Sequence, residues 1–266
     1  MNLRRPAVLL TLCAVLALSA AGSVVAVTSD KDAPPAPEEE LARPVIVTKG
    51  KPDPTVNPAV GALFLEGAHY CTASVVHSDA GDVLLTAAHC IHDGEGGDYL
   101  SGITFAPGYH DGVAPYGFWD VGDEVVAPNW ATSSDQDLDV GFATAHQTGT
   151  KVSLESITGA NKLATGSGFE QQITLTGYPD DAERPAVCET TTSQQDTFQL
   201  RVGCVGFPTG TSGGPWVINT DAETRLGTVV GVIGGFEYGG DDPDVSYSSY
   251  FDTDVATLYR MTAASG

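Results

Sequence analysis

Short apolar or alternating stretches recur along the chain from Asn57 onward: AVGALFLE, CTASVVH, DVLLTA, GITFAP, DEVVAP, DVGFATA, QQITLTGY, TFQLRVG, WVIN, GTVVGVIGG and SYSSYF. Clusters of Gly, Asp, Asn and Pro separate them, and no helical periodicity intervenes. Regular strands of this kind predict an all-β fold, either a sandwich or barrels. One stretch differs. TDVATLYRM places Val255, Leu258 and Tyr259 at helical spacing behind Asp254 as an N-cap, which predicts a C-terminal helix over about 254–262. The stretch SLESITGANKLATGSG is the best seam, dividing the strands into halves of about 57–150 and 160–253.

The pattern changes upstream. Arg4-Arg5 is followed by an apolar run from Ala7 to Gly22, the layout of a secretory signal peptide. Cleavage is expected after Ala26, with Ala20 as the alternative. The run is short for a membrane span of roughly 20 apolar residues. Residues 27–56 are rich in Pro, Glu and Ala, have little to bury, and read as a pro-segment or disordered linker. The remaining chain, 57–266, is about 210 residues, enough for one domain or two small barrels sharing a core.

Five cysteines are encoded. Cys13 lies in the apolar leader, which leaves Cys71, Cys90, Cys188 and Cys204. An even number in an exported chain reads as disulfides, and four cysteines allow three connectivities. The local pairs Cys71–Cys90 and Cys188–Cys204 are the simplest, each closing a loop of about 15–20 residues. A zinc site would favour a C-x-x-C pair, and there is none. The formal net charge is -22. A surface this acidic repels nucleic acid and anionic membranes. We therefore expect no nucleic-acid or membrane partner, no metal and no cofactor, and a monomer.

The chemistry concentrates in a few stretches. GTSGGPW surrounds Ser212 with Gly210, Gly213, Gly214 and Pro215, a sharp turn that cannot be helical. It is either an ordinary tight turn or a strained loop presenting a nucleophile. LLTAAHCIH ends an apolar strand in small residues, then His89, then Cys90. A disulfide at Cys90 would fix the loop carrying His89, and a general base needs such rigidity. In DQDLDVGFATA, Asp139 opens the apolar strand Val140-Gly141-Phe142, where a half-buried carboxylate can hold an imidazole in one tautomer. A calcium loop fails here, because Gly does not follow Asp139 and the twelfth position from Asp135 is His146. A solvated acidic turn accounts for Asp135 and for Asp137.

TAAHC, DVGF and GTSGGP, in that order, resemble the chymotrypsin-like serine proteases, and most nearly their bacterial trypsin-like and V8-like branch. The resemblance runs from about Asn57 to Arg260. It implies two packed six-stranded antiparallel β-barrels, a cleft between them, and a C-terminal α-helix. Carried over, His89 is the general base, Asp139 its orienter and Ser212 the nucleophile, with the N–H groups of Gly210 and Ser212 as the oxyanion hole. Gly206 and Phe207, together with Gly234 and Gly235, would line the substrate pocket. The implied activity is a secreted endopeptidase acting on polypeptides. A catalytically inactive homologue serving as an extracellular binding module is the alternative, disfavoured because all three triad candidates are present. Chain order excludes other serine hydrolases. An α/β-hydrolase needs a histidine after its serine, but all six histidines precede Ser212. A subtilisin places its aspartate first, and no motif before His89 supplies one.

Two departures matter. Thr211 stands where animal digestive members carry an aspartate that pairs with the freed N-terminus, and the N-terminal Ile-Val-Gly-Gly pattern is missing as well. Activity should therefore not depend on one defined N-terminal residue. The pocket base offers no fixed charge at Gly206 or Phe207, and GVIGGF lacks the histidine of glutamate-specific relatives. Asp241, Asp242 and Asp244 are left as either a pocket rim or a solvated turn.

Overall fold

The architecture is described from a computed structural model, which places residues 50–264. The expected signal peptide, its cleavage site and residues 27–49 lie outside the described residues.

The first half forms a closed barrel. β1 (Val60–Leu65), β2 (Ala68–Val75), β3 (Val83–Thr86), β4 (Thr104–Pro107), β5 (Trp119–Val126) and β6 (Gly141–His146) run in the order β1-β2-β3-β6-β5-β4, and β4 pairs back onto β1. Every ladder is antiparallel. Alternation drives the closure, sending Leu63, Val75, Leu85, Phe105, Trp119 and Phe142 into one buried cluster. Register shifts at Leu63/Phe64 and Gly122/Val125 mark irregularities that bend the strands.

Two short helices follow strands of this barrel, and the strand pattern does not announce either. α1 (Pro128–Ser133) starts with Pro at its first position and is pinned by the buried Trp130, whose indole N–H donates to His92 O at 3.2 Å. α2 (Leu154–Thr158) lies in the stretch read as the seam and buries Leu154. With one anchoring apolar residue apiece, neither helix has a periodic face to read.

The second half contains β7 (Lys162–Leu163), β8 (Gln172–Gly177), β9 (Ala186–Thr191), β10 (Ser193–Gln194), β11 (Gln199–Gly203), β12 (Pro215–Ile218), β13 (Thr228–Val232) and β14 (Val245–Ser249). They form a five-stranded sheet, β7-β13-β12-β8-β9, and a three-stranded one, β10-β11-β14. β7 and β10 are two-residue additions at the sheet edges. The six longer strands make up the second barrel, and its two seams are closed by means other than a continuous ladder. At one seam Val232 N donates to Ser248 Oγ at 3.0 Å and Gly234 N to Tyr247 O at 3.1 Å. At the other, Cys188–Cys204 and the Thr190 hydroxyl on Gly203 O join β9 to the end of β11. Ile173, Leu175, Leu200, Val202, Trp216 and Val230 fill its core.

The C-terminal helix, α3 (Thr253–Ala263), is capped by Asp252, whose carboxylate accepts from Asp254 N at 2.8 Å. It begins one residue before the expected start. Although α3 follows the second barrel in the chain, Val255 and Leu258 bury in the first barrel's cluster. Tyr259 stacks at a tilt on Phe142 at 5.9 Å and donates its hydroxyl to His77 O at 2.5 Å. Among the described residues no helix is long and apolar enough to cross a membrane.

Candidate active site

His89 sits in a single 3-10 turn, Ala88–Cys90, directly after β3. Ala87 and Ala88 are fully buried, and the small side chains let the turn press against the barrel. The Cys71–Cys90 disulfide ties the turn to β2, as the local-pairing expectation required, and Cys188–Cys204 forms as well. Tyr70 braces the same turn through its hydroxyl on Cys90 O at 2.6 Å. Burial pushes that phenol's pKa upward, so it remains a donor.

Asp139 ends a 3-10 turn, Gln136–Leu138, just before β6, and its side chain is fully buried. It accepts three hydrogen bonds. Oδ1 takes His89 N at 3.0 Å, while Oδ2 faces His89 Nδ1 at 2.8 Å and takes Gly235 N at 2.9 Å. A carboxylate so solvated by donors stays stable without water. With Nδ1 donating, Nε2 of His89 is left as the acceptor. The neighbouring acids behave differently. Asp135 caps the turn by accepting from Asp137 N, and Asp137 accepts from Gln199 Nε2 at 2.8 Å. Asp137 is therefore not a merely solvated turn residue.

Ser212 lies between Gly210 and Gly213 on the loop into β12. Gly213 has φ +80, and a Cβ there would come within 2.1 Å of Thr72 O and 2.2 Å of Thr86 Oγ1, so no larger residue fits. Ser212 and His89 line one cavity of about 260 Å³ together with Phe207, Pro208, Thr209, Thr211, Ile233 and residues 237–241. Among the described residues no hydrogen bond reaches the Ser212 hydroxyl, and the main-chain N–H groups of Gly210 and Ser212 have no partner either. Thr211 is buried, with its hydroxyl satisfied locally by Pro208 O at 2.6 Å. It therefore needs no charged partner, consistent with the missing aspartate.

The expected pocket residues divide. Phe207 is buried at the cavity wall. Gly206 is exposed and does not line the cavity, because its N–H turns back to Pro243 O. Gly234 and Gly235 lie behind the site against Asp139, outside the lining. Of the three loop acids, Asp241 reaches the cavity. Asp242 and Asp244 build the turn: Asp242 accepts from Asp244 N, and Asp244 O takes Cys204 N.

Two lining residues have no signal in the sequence. Glu237 and Tyr238 both adopt left-handed backbone, φ +52 and +54, a strained setting that persists where the surroundings enforce it. Gln199 and Gln136 enforce it here by accepting from Phe236 N and Glu237 N. The result is that the Tyr238 ring meets His89 edge-on at 5.7 Å and Trp130 at 6.2 Å.

Among the described residues no metal-binding set is open at the site. Cys71, His89 and Cys90 approach one another, but both sulfurs are committed to the disulfide. Asp53, His110 and Asp111 also cluster, and Arg184 bridges the two carboxylates. A larger cavity of about 610 Å³ opens between Thr55–Asn57, β8, β9 and β12, but none of the candidate catalytic residues lines it. The two candidates that line a cavity, His89 and Ser212, both line the smaller one.

A closed barrel, a second barrel packed on it, a C-terminal helix and a histidine facing a buried aspartate together define the fold as that of the chymotrypsin-like serine proteases. The sequence matches no family model and no curated protein. Solved structures do match. The chain is similar to a thermostable serine protease, AL20, from an extremophilic microorganism, with a TM-score of 0.70 and 25% identity over 79% of this chain and 99% of that one. It is similar to the protease Anisep from Arthrobacter nicotinovorans, with a TM-score of 0.69 and 25% identity over 80% of this chain and 99% of that one. A Glu endopeptidase shares the fold at a TM-score of 0.63 and 16% identity, over 83% of this chain and all of the other.

Proposed function

We propose that the protein is a secreted serine endopeptidase. Ser212 Oγ attacks the scissile carbonyl while His89 Nε2 takes its proton. The tetrahedral oxyanion is received by the N–H groups of Gly210 and Ser212. Collapse passes the proton from His89 to the leaving amine and leaves an acyl group on Ser212, which water then removes by the reverse steps. Asp139 holds the ring in the productive tautomer and stabilises the imidazolium. The disulfides and the leader pattern of residues 1–26 support an extracytoplasmic setting.

The observation that carries this reading is the 2.8 Å contact between His89 and the buried Asp139, with Ser212 on the wall of the same cavity as His89. An organofluorophosphonate tests it. The label should land on Ser212, be lost in Ser212→Ala and be slowed in His89→Ala, with peptide hydrolysis falling in parallel. A folded wild-type chain that neither labels nor cleaves peptides would leave the binding-module reading standing.

A further inference from the structure

We propose that Thr72 is a positioning residue that presets the oxyanion hole. The inference rests on reading Ser212 as the nucleophile. Thr72 lies in β2, one residue after the disulfide cysteine Cys71, and is fully buried. All of its polar groups are used. Its N–H donates to Ser212 O at 2.7 Å, and its carbonyl accepts from the Thr86 hydroxyl at 2.7 Å. Its hydroxyl accepts from Tyr178 N at 2.8 Å and lies 3.1 Å from Gly210 O. Tyr178 N can only donate, so the single hydroxyl proton is free for Gly210 O alone. One side chain in barrel one thus grips the carbonyl of Gly210, and the same residue's main chain grips that of Ser212.

The consequence follows from peptide geometry. In a trans peptide the N–H and C=O point in opposite directions. The Gly210 N–H shares its peptide with Thr209 O, which accepts from Asp180 N at 3.0 Å. The Ser212 N–H shares its peptide with Thr211 O, which accepts from Gly214 N at 2.9 Å. Both N–H groups therefore face away from these bonds, and neither is spent on another group of the described residues. Gly210 is the weak point. At φ +92 it has a glycine's freedom to turn, and a Cβ there would sit 2.4 Å from Asp180 N. The Thr72 hydroxyl on Gly210 O, beside Thr211 N on Pro208 O at 3.2 Å, restrains the Gly210–Thr211 peptide and so limits that freedom from the far side. It fixes in neutral form a loop that has no aspartate to anchor.

Thr72→Val keeps the shape and removes the hydroxyl, whereas Thr72→Ser keeps the hydroxyl. For Thr72→Val we expect kcat on a peptide substrate to fall by about ten- to a hundred-fold with KM within about two-fold, because an oxyanion contact acts in the transition state. Thr72→Ser should recover kcat to within about three-fold of wild type. A folded Thr72→Val enzyme with wild-type kcat, or one altered in KM alone, would overturn the proposal. Crystal structures give a readout independent of turnover. A turned Thr209–Gly210 peptide in Thr72→Val supports the role, and an unchanged one defeats it. If no Thr72 variant folds, the wild-type crystal structure decides, by whether Thr72 Oγ1 bonds Gly210 O. Should the wild-type chain fold but never label with fluorophosphonate, the protease reading fails, and the loop geometry still judges Thr72.

Discussion

The main-chain N–H of Gly235 reaches the Asp139 carboxylate at 2.9 Å from 96 residues away in sequence. His89 and Asp139 both belong to the first barrel, but the third bond to the carboxylate comes from the second. The His–Asp pair is therefore complete only when the two barrels are docked.

Asp139→Asn should lower kcat by about 10⁴, because an amide presents a donor where three N–H groups converge and cannot hold the same tautomer. It should also lose about 1–3 kcal/mol of stability from the mispaired buried group. Asp137→Asn retains an oxygen for Gln199, so its activity should stay within a few-fold of wild type. Steady-state kinetics on both variants check this, and an inactive Asp137→Asn beside an active Asp139→Asn would reverse the assignment.

The disulfides should separate stability from activity. Cys71→Ala/Cys90→Ala and Cys188→Ala/Cys204→Ala should each cost about 3 kcal/mol from loop entropy, a fall in Tm of about 6–12 °C for a domain of this size. The first pair lies under His89, so its loss should also depress kcat. The second closes a seam of the second barrel between β9 and the end of β11, segments that carry none of the three catalytic candidates, and kcat should hold. Calorimetry with kinetics on the same preparations distinguishes the two.

Glu237 and Asp241 line the cavity, and among the described residues neither has an ion-pair partner. Substrates with a cationic side chain should be favoured at low salt. The variant Glu237→Gln/Asp241→Asn should lower kcat/KM on Lys or Arg peptides by about ten-fold and leave neutral peptides unchanged. A cleavage profile over a peptide library, repeated at high salt, reads this directly. An unchanged profile would remove the two acids from specificity.

His69 is buried between Phe64 and Tyr109, and among the described residues its Nδ1 has no partner. Burial lowers its pKa, while Glu183, Asp180 and Asp181 pull weakly the other way. The unfolded chain takes up this proton near pH 6.5, which the folded chain resists. Stability should therefore be full above about pH 7 and decline as pH falls through 6.5 toward the lowered folded value. Thermal melts of wild type and His69→Phe across this range should diverge on the acid side, with the variant flatter.

The fold was legible in the sequence, and so were the candidate residues His89, Asp139 and Ser212, where local chemistry is restrictive. Glycines and a proline around Ser212, alanines before His89, and a carboxylate opening an apolar strand each constrain only a few residues. One part of the cavity wall was not legible, because Glu237 and Tyr238 are placed by Gln136 and Gln199, residues with no visible link to them in sequence. The Gly206 expectation carried a spacing from a resemblance, whereas the chain turns Gly206 outward onto Pro243. β9 escaped notice because its buried face is partial and its alternation places Val187 and Glu189 in solvent. Thr72 sits in a plain strand, and its importance comes from a contact 138 residues away.

The docking of α3 onto the first barrel sets an order of events. The strands of that barrel emerge early in synthesis, but the helix that covers their flank is made after every strand of the second barrel. Long-range closures of this kind slow folding and leave apolar surface open in the meantime. A nascent chain halted between the end of β6 at His146 and the start of α3 at Thr253 would hold the first barrel's strands without the Tyr259 contact on Phe142 and without Val255 and Leu258 in its core. Chains cut short there should expose apolar surface and aggregate, so the activity proposed above would appear only in chains that have reached α3.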